Sequence, residues 1–302
     1  RRVLFRSIPA GGTTASVNSI SLEDVKAYYN TNFSPNISSL VVVGDINKET
    51  MLKKIDFLKN WKSKNVVLPK EEPIPAVEKT KIYLINKDKA AQSEIRIGYM
   101  AMPYDATGEF YKSNLMNFTL GGAFNSRINM NLREDKGYTY GARSSFNGTK
   151  YAGPFVAAAG VRADATDSSM VEFIKEMSTF SAKGINEEEL NFTKSSIGLS
   201  DALKYETPAQ KAVFLKRISD FNLNPDFVDK QNNILKTITV DEINRLAKEK
   251  LTLDKMIITV VGDKKLVYDG LSKLGYEIIE MDADGKVLFD KNNQPLYPAE
   301  KK

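Results

Sequence analysis

The sequence predicts an α+β fold, on three observations. Some stretches space their apolar residues at helical intervals and others alternate them with polar ones, so both element types are present. Two of the alternating stretches, Thr139 to Phe146 and Phe155 to Val161, are joined by Asn147-Gly148 and are set up to pair as neighbours. One helix–strand–turn segment also occurs twice, so the chain is built from repeated modules.

Taken in order, Arg1 to Ser7 show no pattern and are read as lying outside the fold. Ser21 to Phe33 is a helix: Ser21 caps it, Asp24 follows three residues on, and Leu22, Val25, Tyr28 and Tyr29 form its apolar face. Leu40 to Val43 is read as a short buried strand ending in Gly44-Asp45. Lys48 to Leu58 is a second helix. Residues 63–80, with Pro69, Pro73 and Pro75 among charges, have a linker's composition. Lys81 to Ile85 and Ser93 to Tyr99 are strands. Gly108 to Leu120 is a helix. Thr166 to Lys183 is a helix capped by Thr166 and stopped by Gly184. Further helices start at Asn186 and at Thr207-Pro208, an N-cap with proline at the first helical position. Asp282 to Gly285 reads as a hairpin turn.

The repeat is the sharpest organisational signal. Ser21 to Asp45 aligns without a gap to Thr239 to Asp263, each pair 218 positions apart. Both copies open on a capping Ser or Thr with an acid three residues later, and both close on Val-Val-Gly-Asp. A long run of strands and helices precedes the second copy. Only 20 residues precede the first. The expectation is two equivalent half-modules, the first without its front.

Composition limits the function. The 302 residues are 42% hydrophobic, enough for a sizeable core. The net charge of +5 comes from 43 basic and 38 acidic residues that are interspersed, a solvated surface and not a nucleic-acid face. No run approaches a membrane span. No apolar segment of signal-peptide length follows the charged start, so the chain is read as not exported or as lacking its true start. Cysteine and histidine are both absent. That removes disulfides, thiolate metal sites, Ser-His and Cys-His catalysis and histidine-ligated zinc within this chain.

The stretch LGGAFNSRINMNLREDKGYTYGARSSF, Leu120 to Phe146, organises the rest. Gly121 and Gly122 permit backbone angles that other residues avoid. Phe124, Ile128 and Leu132 form an i, i+4, i+8 helical stripe. Lys136-Gly137 is a helix-end signal. Beyond it Tyr138, Tyr140, Ala142, Ser144 and Phe146 share one strand face, with Thr139, Gly141, Arg143 and Ser145 on the other. Arg133 at the helix end and Tyr140 at the strand start are thus brought near each other by one glycine turn. On spacing alone, Arg133 complements the negative end of its helix and Tyr140 is one more aromatic on a sheet. Gly121-Gly122 is a turn, and Arg127 is either a surface residue or a contact.

GGAFNSRINMNLREDKGYTY resembles the second-half signature of the pitrilysin/insulysin family of zinc peptidases, which includes the mitochondrial processing peptidases. The repeated segment resembles the one that closes each homologous half there. The similarity runs from about Pro9 to Gly275. It implies a half-clamshell of two similar subdomains, each a mixed, antiparallel-rich sheet with helices packed on it. Residues 1–62 would then close the preceding half. Residues 63–80 would link to a second half at 81–275, divided near 163/164, with a tail at 276–302. In that family zinc is held in the first half by H-x-x-E-H and a downstream glutamate. Nothing here matches that motif, so the resemblance implies no zinc in this chain and a zinc-binding N-terminal half or homologous subunit as partner. The family's Arg and Tyr, seven positions apart, fall on Arg133 and Tyr140. They would bind the scissile carbonyl of a peptide substrate and stabilise its oxyanion. Gly121, Gly122, Ala123, Phe124 and Arg127 would line the substrate chamber. The family also suggests the cell envelope or periplasm, with cytoplasm as the alternative. Competing functions are an inactive scaffold subunit of the same fold and a stand-alone peptide-binding module.

Overall fold

The computed structural model describes residues 11–67, 73–201 and 204–289. Arg1 to Ser7, Pro69 of the expected linker and the end of the expected tail lie outside the described residues. The chain divides into two compact units, one within Arg1–Pro73 and Leu199–Asp226, the other within Ile74–Gly198 and Phe227–Lys302.

The second unit is built on one six-stranded sheet of β1 (Lys81–Asn86), β2 (Gln92–Met102), β3 (Thr139–Phe146), β4 (Gly153–Arg162), β5 (Ile257–Gly262) and β6 (Glu277–Met281), in the order β3-β4-β2-β5-β1-β6. β3, β4, β2 and β5 pair antiparallel, whereas β1 pairs parallel with both β5 and β6. The fold is the expected α+β arrangement, and β3 folds back on β4 as their sequences predict. Strands from both sides of the 163/164 division join in this one sheet. β6 is a correction: the expected tail begins with an edge strand, and Asp282 to Gly285 then forms the hairpin turn, closed by the Met281–Val287 bridge.

The helices are α1 (Thr14–Asn18), α2 (Leu22–Asn32), α3 (Lys48–Lys54), α4 (Glu109–Asn117), α5 (Arg127–Asn129), α6 (Thr166–Lys183), α7 (Glu187–Asp201), α8 (Pro208–Phe221), α9 (Phe227–Thr237), α10 (Val240–Lys250) and α11 (Lys264–Ser272). α10 packs on both α4 and α6, and these helices supply the core with one face of the sheet. Ile82, Leu84, Ile95, Ile97, Phe155 and Phe173 are fully buried there. Each such side chain contributes about 1.5–3 kcal/mol by leaving water. The alternate residues of the sheet, among them Glu94, Arg96, Arg143, Ala158 and Gly160, are half-buried or exposed. Thr80 ties the sheet's parallel part together: its hydroxyl donates to the Leu253 carbonyl at 2.6 Å and accepts from the Met256 N–H at 2.9 Å. Gly262 and Asp263, the close of the second repeat, have physical reasons. A Cβ on Gly262 would strike Ser93 Oγ. Asp263 caps α11 through the Lys265 N–H and also accepts from the Lys89 N–H at 2.8 Å.

The first unit forms its predicted helices but not its predicted strand. Ser21 and Asp24 make both hydrogen bonds of a capping box on α2. Thr207 and Gln210 do the same on α8. Leu40 to Val43 is not a strand, because no strand of the described residues offers it a ladder. The expected apolar face of α2 is exposed at Leu22, Val25, Tyr28 and Tyr29. The helix from Lys48 stops at Lys54 and passes into a 3-10 turn at Asp56–Asn60. Thr166 does not cap α6 with its side chain; the hydroxyl bonds Ser93 and the Ala163 carbonyl instead. Gly184 ends α6 at φ 63°, as read.

Candidate functional site

The site is built where two helical segments meet the edge strand β3. α4 runs on into a wider π turn, Phe118–Gly122, which lays the Gly-Gly loop against β3. Neither Gly121 nor Gly122 has positive φ. The expected need for unusual backbone angles is therefore replaced by a need for closeness: a Cβ on Gly121 would sit 2.5 Å from the Ser144 backbone nitrogen.

An edge strand carries unpaired backbone groups. Two buried asparagines meet those of β3. Asn117 Nδ2 donates to the Ser144 carbonyl at 2.8 Å, and Ser144 Oγ donates back to Asn117 Oδ1 at 2.5 Å. Asn129 Oδ1 accepts from the Ala142 N–H at 2.9 Å, while its Nδ2 donates to the Phe124 carbonyl at 2.6 Å. Asn129 thus fixes the loop before α5 and the strand after it to one side chain. Sequence reasoning missed both residues. Their only signal was an amide placed where the helical pattern calls for an apolar residue.

α5 widens into a π turn, Met130–Asp135, that carries Arg133 in its last turn. Ile128 and Leu132 are buried as the stripe requires, but Phe124 precedes the helix and is exposed. Its ring carries the Arg133 guanidinium, whose Cζ lies 4.6 Å from the ring centroid. Arg133 also pairs with Glu134 at 3.4 Å and stays one-third exposed. Gly137 adopts φ 62°, the left-handed stop read from the sequence, and its N–H donates to the Arg133 carbonyl at 3.2 Å. β3 then begins with an irregularity between Thr139 and Ala142. Thr139 Oγ1 bridges it, donating to the Gly160 carbonyl at 2.7 Å and accepting from the Gly141 N–H at 3.1 Å. Ala142, Ser144 and Phe146 face the core, as their alternation predicts. Tyr140 would share that face, but the irregularity turns it out to 90% exposure.

Gly121, Gly122, Ala123 and Phe124 line a groove of about 400 Å³ together with Asn129 and Gly141. Its other wall is sheet surface, with Glu94, Arg143, Ala158 and Gly160. Arg133 and Tyr140 are not among the residues lining the groove; each adjoins one that is, Arg133 by its stack on Phe124 and Tyr140 as the neighbour of Gly141 in the chain. Arg127 does not join them. Its Nε and Nη2 clasp Glu189 at 2.8 and 2.7 Å, Nη2 also donates to the Gly184 carbonyl, and the group lies over Phe180. Those donors are spent within the chain, so the expected substrate contact at Arg127 becomes a brace between α5 and α7. Burial alone would raise the Glu189 pKa. The hydrogen bonds from Arg127 and the Asn186 N–H, with the Arg127 charge, outweigh it and hold the carboxyl below its ordinary value.

The residues present do not fit zinc. The chain has no histidine or cysteine, and no group of three or more acidic side chains among the described residues is arranged for a metal. No helix among the described residues is long and apolar enough to cross a membrane.

Comparison with known proteins identifies the family of the chain. Residues 19–197 match the profile of the family described as peptidase M16 inactive domain. A non-peptidase homolog, YmxG, of Helicobacter pylori is 25% identical over 274 residues, covering 88% of this chain and 62% of the relative. An uncharacterized zinc protease of the same name from Bacillus subtilis is 22% identical, covering 82% and 59%. Among solved structures, a peptidase M16 inactive domain from Pseudomonas fluorescens superposes with a TM-score of 0.74 at 21% identity, over 84% of this chain and 60% of that one. A protease from Helicobacter pylori gives 0.70 at 16% identity, over 83% and 61%. The chain thus spans about six-tenths of the length of these proteins. Since the family profile covers more than half of its length, the chain belongs to the peptidase M16 family and carries that family's inactive domain.

Proposed function

We propose that this chain is the non-catalytic half of a zinc-dependent endopeptidase of the M16 family. In this reading the groove beside β3 is part of the chamber wall that receives an extended peptide, and Arg133 and Tyr140 act on its scissile carbonyl. The observation that carries it is the pair's setting: an exposed phenol at the start of β3 and a one-third-exposed guanidinium stacked on Phe124, with the left-handed Gly137 between the two.

The chemistry suits the residues. Arginine stays charged at any working pH, and tyrosine offers a hydroxyl donor without ionising near neutrality. Two donors aimed at a carbonyl oxygen stabilise it most when it becomes an oxyanion, an effect worth roughly 10²–10³ in rate per donor. Metal ligands and the general base would come from a complementary half, since the chain has no histidine and the described residues hold no acidic cluster arranged for a metal. A cell-envelope location accompanies this reading. A second reading, a peptide-binding scaffold without cleavage, is favoured by the missing histidines together with the Helicobacter relative, which is described as a non-peptidase homolog.

The test is direct. The purified chain alone should bind an unstructured fluorescent peptide, retain no stoichiometric zinc through dialysis and leave the peptide intact. Retained zinc with chelator-sensitive cleavage refutes the assignment. Cleavage gained on adding a histidine-bearing M16 half separates it from the scaffold reading.

A further inference from the structure

The groove beside β3 is charged on its open side, and the charges do not balance. Arg143 lines it and is exposed. Among the described residues its guanidinium has no hydrogen bond, ion pair or ring contact. A second arginine stands two strands away on the same face. Arg143 lies opposite Ala158 of β4, and Ala158 lies opposite Arg96 of β2. Directly opposed residues of antiparallel strands project to one side of the sheet. Neighbouring strands lie about 4.8 Å apart, so the two arginine backbones are roughly 10 Å apart with one methyl group between them.

Glu94 occupies the next row, opposite Gly160. Its carboxylate leans over that glycine: a Cβ built there would stand 3.5 Å from Glu94 Oε2. Arg96 Nε donates to Glu94 Oε1 at 3.2 Å. That pair matches the Glu94 charge and uses one corner of the Arg96 guanidinium, whose two Nη groups have no partner among the described residues. The patch therefore holds two cations to one anion, and Arg143 is the unmatched one.

The edge of β3 limits how a peptide meets this patch. Asn129 takes the Ala142 N–H, and Asn117 takes the Ser144 carbonyl. A chain added as a further strand finds those groups spent. The sheet face remains open, and its floor of Gly141, Ala158 and Gly160 is low enough for a side chain to lie between the charges.

We propose that Arg143 and Arg96 form a subsite for a carboxylate of the bound peptide, held over Ala158. The carboxylate is an acidic side chain or a free C-terminus, since both offer the two oxygens that a guanidinium fork engages. A neutral residue gains no ion pair there, and a basic one has to displace Arg96 from Glu94. The subsite rests on the reading of the groove as a peptide-binding wall and gives that wall a preference for acidic peptides.

The test uses the whole chain and fluorescence anisotropy at one ionic strength. The probes are fluorescent, unstructured peptides blocked at both ends, with a single glutamate walked through one sequence and glutamine at the same places as counterpart. A further probe is the glutamine sequence with a free C-terminal carboxylate. The best-placed glutamate, or the free terminus, should bind roughly three- to tenfold more tightly than the blocked glutamine peptide, as charge pairs in partial contact with water do. The two arms tell the two sources of the carboxylate apart. Arg143→Gln should remove the advantage and leave affinity for the glutamine peptide unchanged, which also reports an intact groove. Arg143→Lys should keep part of the advantage. Lys265→Gln, at an exposed position of α11, removes the same charge elsewhere and should change nothing. Equal affinity for all the probes overturns the subsite and spares the peptide-wall reading. Binding of none of them overturns both. An advantage that survives in Arg143→Gln overturns the subsite, because the carboxylate is then held elsewhere.

Discussion

Replacing Asn129 with alanine tests how the site is held. Its carboxamide accepts from the buried Ala142 N–H at 2.9 Å and donates to the Phe124 carbonyl at 2.6 Å. Alanine leaves the Ala142 N–H without a partner next to the core, a penalty of about 1–3 kcal/mol. The bond to Phe124 adds about 0.5–1.5 kcal/mol, at the low end because the Phe124 loop reaches water. The expected total is roughly 1.5–3.5 kcal/mol. Every 1.4 kcal/mol is a factor of about ten, so amides of the β3–β4 ladder should exchange roughly 10- to 300-fold faster. Native-state hydrogen exchange read by mass spectrometry is the assay, with exposed Asn125→Ala as control. The peptide affinity of the variant should fall as well, because Phe124 and Ala142 of the groove lose their common anchor. A change in exchange below about threefold would mean that Asn129 does not hold the edge strand.

Other outcomes follow from the same geometry. Gly121→Ala drives a Cβ onto the Ser144 backbone and should lower stability by about 1–3 kcal/mol in a urea melt followed by circular dichroism. Gly137→Ala forces alanine to φ 62° and should cost about 1–2 kcal/mol while displacing Tyr140 relative to Arg133, read as weaker peptide binding. Glu189 has a folded pKa below its ordinary 4.5, so its ionised form stabilises the fold above that value and the contribution is lost as pH falls through the folded value. Acid titration of Glu189→Gln should accordingly show a flatter loss of stability below pH 4.5 than the parent chain.

Much of this was legible in the sequence, and the parts that were not share a cause. The caps at Ser21 and Thr207, the stops at Gly137 and Gly184 and the alternation of β3 and β4 are decided by neighbours in the chain, so local pattern reveals them. Arg133 and Tyr140 stood out only through the family resemblance; their spacing alone reads as a helix-end cation and one more sheet aromatic. Leu40 to Val43 and Ile257 to Gly262 carry nearly the same apolar run, yet only the second is a strand. The difference is a ladder supplied by β1 and β2, which no local reading contains. β6 escaped notice because five residues at an edge need only β1 beside them. Asn117, Asn129 and the brace between Arg127 and Glu189 are tertiary contacts between residues 13 to 62 positions apart. Phe124 looked like the top of a helical stripe, and only the structure turns it into the platform for Arg133.

The central claim is that Arg133 and Tyr140 act on the peptide bond being broken and not merely on peptide binding. The measurement is kcat and KM for one peptide, using the chain assembled with a histidine-bearing M16 half, for the parent, Arg133→Ala and Tyr140→Phe. The account predicts a fall in kcat of roughly 10²–10³ for each variant with KM changed little. Unchanged kcat with raised KM would contradict it and leave the two residues as binding contacts only.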